Sequence, residues 1–307
     1  MVLPPSGMIP VLPAAVLEEI AAAIPEGCHE FMIVTGSLAV GYRYFKDRPE
    51  MAVRTKDADC LVSPRIHAVE KSVVIVERLL EAGWVYHASE DWPEPGRKGA
   101  PLETLPAPRL HRPGTHGWFL ELLTVPEQGE DRSRSFLRVP TAVNDFAIPS
   151  FGFLSLHDYH PDPTPFRIFV ARPEMMALAN LLEHPEIRPD TMSGWPGMKR
   201  SNKDLGRVIA IAWLAMNEDP DALRAWPGLW ERALRDRFPT EHRDLARRAG
   251  RGLRQLLASP VDLEQAHDTC VAGLLALSQP SREEYGIAAE RLIVDAIEPL
   301  ESAAGAR

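Results

Sequence analysis

The chain has 307 residues, of which 45% are hydrophobic and 25% are charged, a composition typical of a globular protein with a substantial core. Its formal net charge of −9 argues against indiscriminate nucleic-acid binding but is compatible with a local basic patch. Three widely spaced cysteines argue against a disulfide framework or a zinc knuckle, and no apolar run approaches the ~18 residues of a membrane-spanning helix. Because the N-terminus also lacks a basic region, we expect a cytoplasmic protein without membrane partners.

The first part of the chain alternates between helical and strand patterns. Helices are predicted where apolar residues recur at helical spacing, at residues 14–24, 38–44 and 67–81. Strands are predicted at the short apolar or alternating segments 31–34, 54–62, 84–87, 109–111, 118–124, 136–139, 151–156 and 166–171. The proline-rich segment 89–114 predicts a long surface loop around the short strand at 109–111.

After residue 173 the pattern becomes helical. Helices are predicted at residues 174–183, 202–216, 220–235, 241–258, 263–277 and 282–297. The sequence therefore predicts an α+β protein of two domains. Residues 1–173 would form a mixed β-sheet with flanking helices, and residues 174–307 would form an α-helical domain.

The segment 31–63 contains the residues with the clearest chemistry. A short apolar strand stops at Gly36-Ser37, and the following strand carries Asp57 and Asp59. Alternate strand residues point to the same face, so the two carboxylates would lie side by side and face the glycine turn. Two such carboxylates suit divalent cations, while Gly36 allows phosphates to approach the backbone and Ser37 offers its hydroxyl and N–H to them.

Glu121 is an acid between two leucines in the most apolar predicted strand. A charge in such a position is costly unless it is paired or bound to a metal. Two interpretations follow. Glu121 could complete a carboxylate set with Asp57 and Asp59, or it could form an ion pair with an arginine such as Arg109 or Arg112.

The order Gly36-Ser37, Asp57-Ala58-Asp59 and Glu121 resembles the DNA polymerase β-like nucleotidyltransferase superfamily. In that superfamily a glycine turn opens a helix, one strand carries acid-x-acid, and a later strand adds one more acid. The segment TKDADCLVS is similar to the corresponding segment of bacterial members, including proteins related to AbiEii-type toxins. Residues 173–182 and 199–205 also resemble two helix starts that follow the domain in such relatives, so the resemblance spans roughly residues 14–216.

The resemblance implies a nucleotidyltransferase-type domain that moves a nucleoside monophosphate from an NTP to a hydroxyl with two Mg²⁺ (or Mn²⁺) ions. The implied catalytic residues and metal ligands are Asp57, Asp59 and Glu121. The implied nucleotide-binding residues are Gly36, Ser37, Lys199 and Lys203. The acceptor is open among tRNA, a protein and a small molecule, and the toxin-type relatives suggest a cognate antitoxin as a partner.

Two departures from the family pattern support an alternative function. Asn180 stands where the relatives have a lysine, and the third acid is a glutamate rather than the commoner aspartate. The chain could therefore be a catalytically inactive nucleotide-binding sensor or scaffold.

A second alternative is an RNA-binding partner protein. The predicted helix 241–258 carries a stripe of arginines at helical spacing, namely Arg243, Arg247, Arg251 and Arg254. The simpler explanation is an amphipathic helix with an arginine-rich outer face. Histidines in irregular, proline-bounded segments are predicted to be loop residues rather than metal ligands, namely His111, His116, His157 and His160.

Overall fold

The computed structural model describes residues 8–48, 50–114, 117–127, 134–192 and 195–305. The chain divides into two compact units. The α+β unit comprises Gly7–Glu50 and Thr55–Arg172, and the helical unit consists mainly of Pro173–Arg307 with Met51–Arg54. The predicted α+β class with a mixed sheet is confirmed. In the part of the chain that the structure describes, we find no helix with the length and apolar character needed to cross a membrane.

The elements of the α+β unit follow one another in a mixed order. Its helices are α1 (Pro13–Ala23), α2 (Gly36–Phe45) and α3 (Arg65–Glu81). Its strands are β1 (Ile9–Val11), β2 (Met32–Val34), β3 (Val53–Thr55, which spans the division between units), β4 (Asp57–Val62), β5 (Val85–Tyr86), β6 (Arg109–His111), β7 (Phe119–Thr124), β8 (Ser135–Pro140), β9 (Asp145–Ser150), β10 (Asp162–Pro163) and β11 (Phe169–Val170).

Within the described residues, seven strands form one sheet in the order β10-β11-β2-β4-β7-β6-β5. The pairs β11–β2 and β4–β7 are parallel, and the other pairs are antiparallel. Strand β7 is buried at every position, as expected of a central strand covered on both faces. Strand β4 instead alternates between half-buried and buried residues over its first four positions. One face of β4 near its start is therefore accessible to solvent.

Three strand predictions were wrong in detail. Of the predicted strand 166–171 only β11 forms, after a turn at 165–167. The predicted strand 54–62 is interrupted at Lys56, so that β3 and β4 are separate strands. The predicted strand 151–156 is instead a turn that contains a 3-10 helix at Leu154–Leu156, and the strand is β9 just before it. Pro149 made β9 hard to predict because proline lacks the N–H that a sheet needs. Among the described strands β9 is hydrogen-bonded to β8 alone, and this edge position accommodates the proline.

The helical unit is built around α5 (Arg200–Glu218). Its other elements are α4 (Pro173–Glu183), β12 (Thr191–Met192), β13 (Trp195–Lys199), α6 (Trp226–Arg237), α7 (His242–Arg248), α8 (Arg251–Ala258), α9 (Pro260–Ala272), α10 (Arg282–Leu292) and α11 (Glu298–Gly305). Helix α5 packs against α4, α9 and α10. The core contains Trp230 and Tyr285, whose polar atoms donate hydrogen bonds to the carbonyls of Glu174 (2.8 Å) and Gly206 (2.7 Å).

Local sequence signals explain several helix ends. Ser259 caps α9 and is followed by Pro260, whose fixed φ suits the first helical position. Ser281 and Glu284 form a reciprocal capping box at the start of α10. The single helix predicted over 241–258 is wrong, because the chain turns at Ala249-Gly250 and forms the two short helices α7 and α8.

The three cysteines are buried and unbridged. Cys28 and Cys60 lie in the α+β unit, and Cys270 lies in α9 of the helical unit. Burial raises the pKa of the Cys60 thiol well above its usual range and that of Cys270 to about 11.

Candidate functional site

The candidate site begins where β2 ends and α2 starts. The N–H of Thr35 donates to the carbonyl of Asp59 at 2.9 Å, which joins the end of β2 to β4. Gly36 then has a φ of +70°, and a Cβ built at this residue would lie only 2.9 Å from Oδ2 of Asp59. The backbone conformation therefore favours glycine, and a side chain here would also displace the Asp59 carboxylate. The Asp59 carboxylate lies in part of the space that the missing side chain leaves, and the role of Gly36 towards phosphates stays a prediction.

Strand β4 places Asp57 and Asp59 on the same face. Both are half-buried, whereas the alternating Ala58 and Cys60 are fully buried. The hydroxyl of Thr55 donates to Oδ1 of Asp57 at 2.9 Å. The carboxylate of Asp59 lies against the first turn of α2, where the positive end of the helix dipole stabilises negative charge.

Glu121 lies beside Asp59 but is bound to an arginine. In the parallel ladder of β4 and β7, Asp59 is the register partner of Glu121. On the other side of β7, Arg109 of β6 is also the partner of Glu121. Its Nε and Nη2 donate to Oε2 (2.9 Å) and Oε1 (3.1 Å) of the glutamate. Of the two interpretations open from the sequence, the structure shows the ion pair, and Arg109 is the arginine that forms it.

The Glu121–Arg109 pair compensates both charges within the sheet and raises the pKa of the arginine. Burial acts to lower the pKa of Arg109, but the charge and hydrogen bonds of Glu121 outweigh that effect and raise it. The glutamate is 9% exposed, so an unpaired charge here would be costly. Arg112, the other arginine considered, lies 3.8 Å from Glu19 instead.

Two carboxylates of this site have the chemistry of ligands for the implied metal. Asp57 and Asp59 offer hard oxygen ligands of the type that Mg²⁺ and Mn²⁺ prefer, on a face accessible to solvent. Among the described residues, no group of three or more His, Cys, Asp or Glu side chains is arranged to hold a metal ion. The two aspartates therefore fit a cation, and Glu121 would join them only after leaving Arg109.

A cluster of rings that sequence reasoning missed lies next to these acids. Phe119, the register partner of Asp57, stacks on His87 with ring centroids 4.1 Å apart. His87 also contacts the edge of His111, at 5.4 Å between centroids. Burial lowers the pKa of His87, and the nearby His111 and Arg109 lower it further. The sequence carries no local signal for this cluster, because β5, β6 and β7 bring its members together from separate segments.

The histidine predictions have mixed outcomes. His111 ends strand β6 and is not a loop residue. His157 lies directly after the 3-10 helix, and its Nδ1 is 2.8 Å from the hydroxyl of Thr35, the residue that precedes Gly36. His160 is exposed beside the ring of Tyr159. His116 lies outside the described residues.

The two lysines predicted to bind nucleotide, Lys199 and Lys203, lie in the helical unit. Lys199 ends β13, and its Nζ lies 2.7 Å from Oδ1 of Asp262. Burial acts to raise the pKa of Asp262, but the hydrogen bonds from Lys199 and Asn202 lower it overall. Lys203 is half-buried in the first turn of α5. The charge of Lys199 is thus already compensated by an acid of its own unit.

Asn180 and Asp204 are also part of this unit. Asn180 lies in α4, and its carbonyl accepts from the N–H of His184 at 3.2 Å. Asp204 is largely buried and accepts a hydrogen bond from Nε2 of His184 at 2.9 Å. Burial acts to raise the pKa of Asp204, but this hydrogen bond and the charge of Lys203 outweigh it and hold the pKa well below its usual range.

The arginines of segment 241–258 do not form a continuous stripe. Arg254 makes two hydrogen bonds to Glu301, at 2.8 and 2.7 Å, and Arg247 donates to Asp244 at 3.0 Å. Arg243 lies in α7 and Arg251 in α8, on either side of the turn at Ala249-Gly250. This arrangement favours the simpler explanation of a paired, amphipathic outer surface.

The candidate site thus consists of Asp57 and Asp59 on β4, Gly36 at the start of α2, and the Glu121–Arg109 pair beside them. The half-buried Ser37 follows Gly36 in the first turn of α2. Comparison of the chain with protein-family models, with curated proteins and with solved structures found no match.

Proposed function

We propose that the α+β unit transfers a nucleoside monophosphate from a nucleoside triphosphate to a hydroxyl acceptor in a nucleotidyltransferase-type fold. The observation that carries this proposal is the close approach of the Asp59 carboxylate to Gly36, with Asp57 on the same strand face. A glycine turn that opens a helix beside paired strand carboxylates can receive a polyphosphate and its counter-ion together.

Asp57 and Asp59 would hold the divalent cation. When bound, Mg²⁺ or Mn²⁺ supplies positive charge that neutralises the triphosphate and favours deprotonation of the acceptor hydroxyl. Ser37 would present its N–H and hydroxyl to the phosphates at the N-terminal end of α2.

In the proposed reaction, the acceptor oxygen forms a bond to the α-phosphorus. The bond from that phosphorus to the oxygen bridging to the β-phosphate breaks, and pyrophosphate leaves with the electron pair. Glu121 would accept the proton of the acceptor hydroxyl. For this, Arg109 must first release the Glu121 carboxylate. The triphosphate offers Arg109 an alternative anion at the moment when this release is needed.

A screen with labelled NTPs against total RNA, cell protein and hydroxyl-rich small molecules tests the proposal. We expect label transfer and pyrophosphate release in the presence of Mg²⁺ or Mn²⁺. Asp57→Asn and Asp59→Asn should each reduce transfer by about 10²–10³-fold, the scale of losing a principal transition-state stabiliser. Glu90→Gln, which removes an exposed carboxylate of the proline-rich loop, is the matched control. Transfer at the wild-type rate in both aspartate variants would refute the assignment.

The second candidate is a nucleotide-binding protein without catalysis, acting as a sensor or scaffold. The Glu121–Arg109 pair favours it, because the third carboxylate is already neutralised. Calorimetry distinguishes the two candidates. Metal-dependent NTP binding that is lost in Asp59→Asn, without pyrophosphate release by the wild type, supports the sensor. Binding together with pyrophosphate release supports the transferase.

A further inference from the structure

A cavity of about 440 Å³ lies in the helical unit between α6, α7 and α11. Its size falls within the range of small-molecule sites, roughly 300–1,000 Å³. None of its lining residues has a role in the proposed nucleotidyl transfer. Ligand binding in this cavity and nucleotide transfer can therefore succeed or fail independently.

The floor of the cavity is apolar and fixed by core packing. It is formed by Leu234 of α6, Ala246 of α7 and Leu300 of α11, which are all buried. Nη2 of Arg247 donates to the carbonyl of Ala304 at 3.1 Å and so joins α7 to α11. The walls are parts of packed helices, so the cavity exists without rearrangement and can take an apolar group at little conformational cost.

The rim of the cavity carries excess positive charge. Its one lining carboxylate among the described residues, Glu231, is already bound by Arg235 at 2.5 Å. Arg243 is exposed and makes neither a hydrogen bond nor an ion pair within the described parts of the chain. His242 donates from Nδ1 to the carbonyl of Pro239 at 2.8 Å, which fixes its ring at the same rim. A chain with a net charge of −9 thus leaves an uncompensated arginine above an apolar floor.

We propose that this cavity is a binding site for a small amphipathic organic anion. A carboxylate would pair with Arg243 at the rim, because a guanidinium presents two N–H groups that match its two oxygens. A short alkyl or aromatic group would cover the floor at Leu234 and Leu300. Both features are needed, since an exposed ion pair alone contributes little affinity.

Calorimetric titration of the full chain with octanoate, and with octan-1-ol as its uncharged analogue, tests the charge requirement. We expect octanoate to bind with a Kd below about 1 mM and octan-1-ol to bind about threefold more weakly. Arg243→Gln should weaken octanoate binding about threefold and leave octan-1-ol binding unchanged. Arg251→Gln is the matched control, because it removes an exposed arginine of the next helix that does not line the cavity.

A second variant tests the location. Ala303 is an exposed lining residue of α11, so Ala303→Phe should narrow the cavity without disturbing the core. Octanoate binding should then be weakened at an unchanged unfolding temperature. The proposal is overturned if octanoate fails to bind at about 1 mM. Equal affinities for octanoate and octan-1-ol, equal effects of the two arginine variants, or undiminished octanoate binding in Ala303→Phe would each overturn it as well.

Discussion

At the scale of single residues, Gly36 and Asp59 depend on each other. The positive φ of Gly36 turns the chain into α2, and the absence of a side chain leaves space for the Asp59 carboxylate. The same geometry brings a negative charge to the first turn of a helix, where it is stabilised. A side chain at residue 36 would therefore disturb both the backbone and the acid.

Gly36→Ala should lower the free energy of unfolding by about 2–4 kcal/mol, because it adds a steric conflict with Asp59 to the strain of the left-handed conformation. Gly99→Ala separates the two effects, since Gly99 has a similar φ of +73° but no atom within 4 Å of a built Cβ. That control should lose only about 1–2 kcal/mol. Urea unfolding measures both, and equal losses would show that the contact with Asp59 costs nothing.

Arg109 contributes to stability through a largely buried ion pair. Removing one partner of such a pair leaves an uncompensated charge, so Arg109→Gln should cost about 2–4 kcal/mol after allowing for the partial exposure of the arginine. Arg97→Gln, which affects an exposed ion pair with Glu94, should cost under about 0.5 kcal/mol. Urea unfolding distinguishes the two variants, and similar losses would contradict this account of the Arg109–Glu121 pair.

The same variant has a second readout that mere destabilisation would not produce. If Glu121 can serve as a metal ligand, freeing it from Arg109 should tighten Mn²⁺ binding in the absence of nucleotide, measured by electron paramagnetic resonance. The double variant Arg109→Gln/Glu121→Gln should lose this gain. An unchanged Mn²⁺ affinity in Arg109→Gln would show that Glu121 is not a metal ligand.

At the scale of elements, a charged contact joins β6 to β7, and another joins the end of α4 to α5. In the helical unit this contact connects His184, directly after α4, to Asp204 on α5. The pKa of Asp204 is depressed in the folded state. An acid of this kind stabilises the fold at pH values above its unfolded pKa, about 3.9, and that stabilisation is lost as the pH falls towards the folded pKa.

Asp204→Asn should therefore destabilise the protein strongly at pH 7, and its difference from the wild type should shrink as the pH is lowered below about 4. Urea unfolding at pH 7, 4 and 3 measures the difference. Leu205→Ala is the control, because it destabilises the same helix by removing a buried side chain without removing an acid. The prediction is contradicted if the difference in unfolding free energy between Asp204→Asn and the wild type is as independent of pH as that of Leu205→Ala.

At the scale of the whole molecule, the sequence predicted the features that depend on local periodicity. The alternation at Asp57 and Asp59 and the helices α1, α3 and α5 follow from spacing alone. The partner of Glu121 does not follow from spacing, because it is fixed by the antiparallel pairing of β6 with β7. The contact of His157 with Thr35 joins segments 122 residues apart and leaves no local trace.

The three buried thiols described above make the opening of each unit separately observable. Only the thiolate reacts with alkylating reagents, so a buried thiol with a raised pKa must become exposed before it is modified. Cys60 then reports on opening of the α+β unit, and Cys270 reports on opening of the helical unit. Mass spectrometry of alkylated peptides, sampled over time in mild denaturant, would give one rate for each, with no engineered label and no assumption that the two units open together.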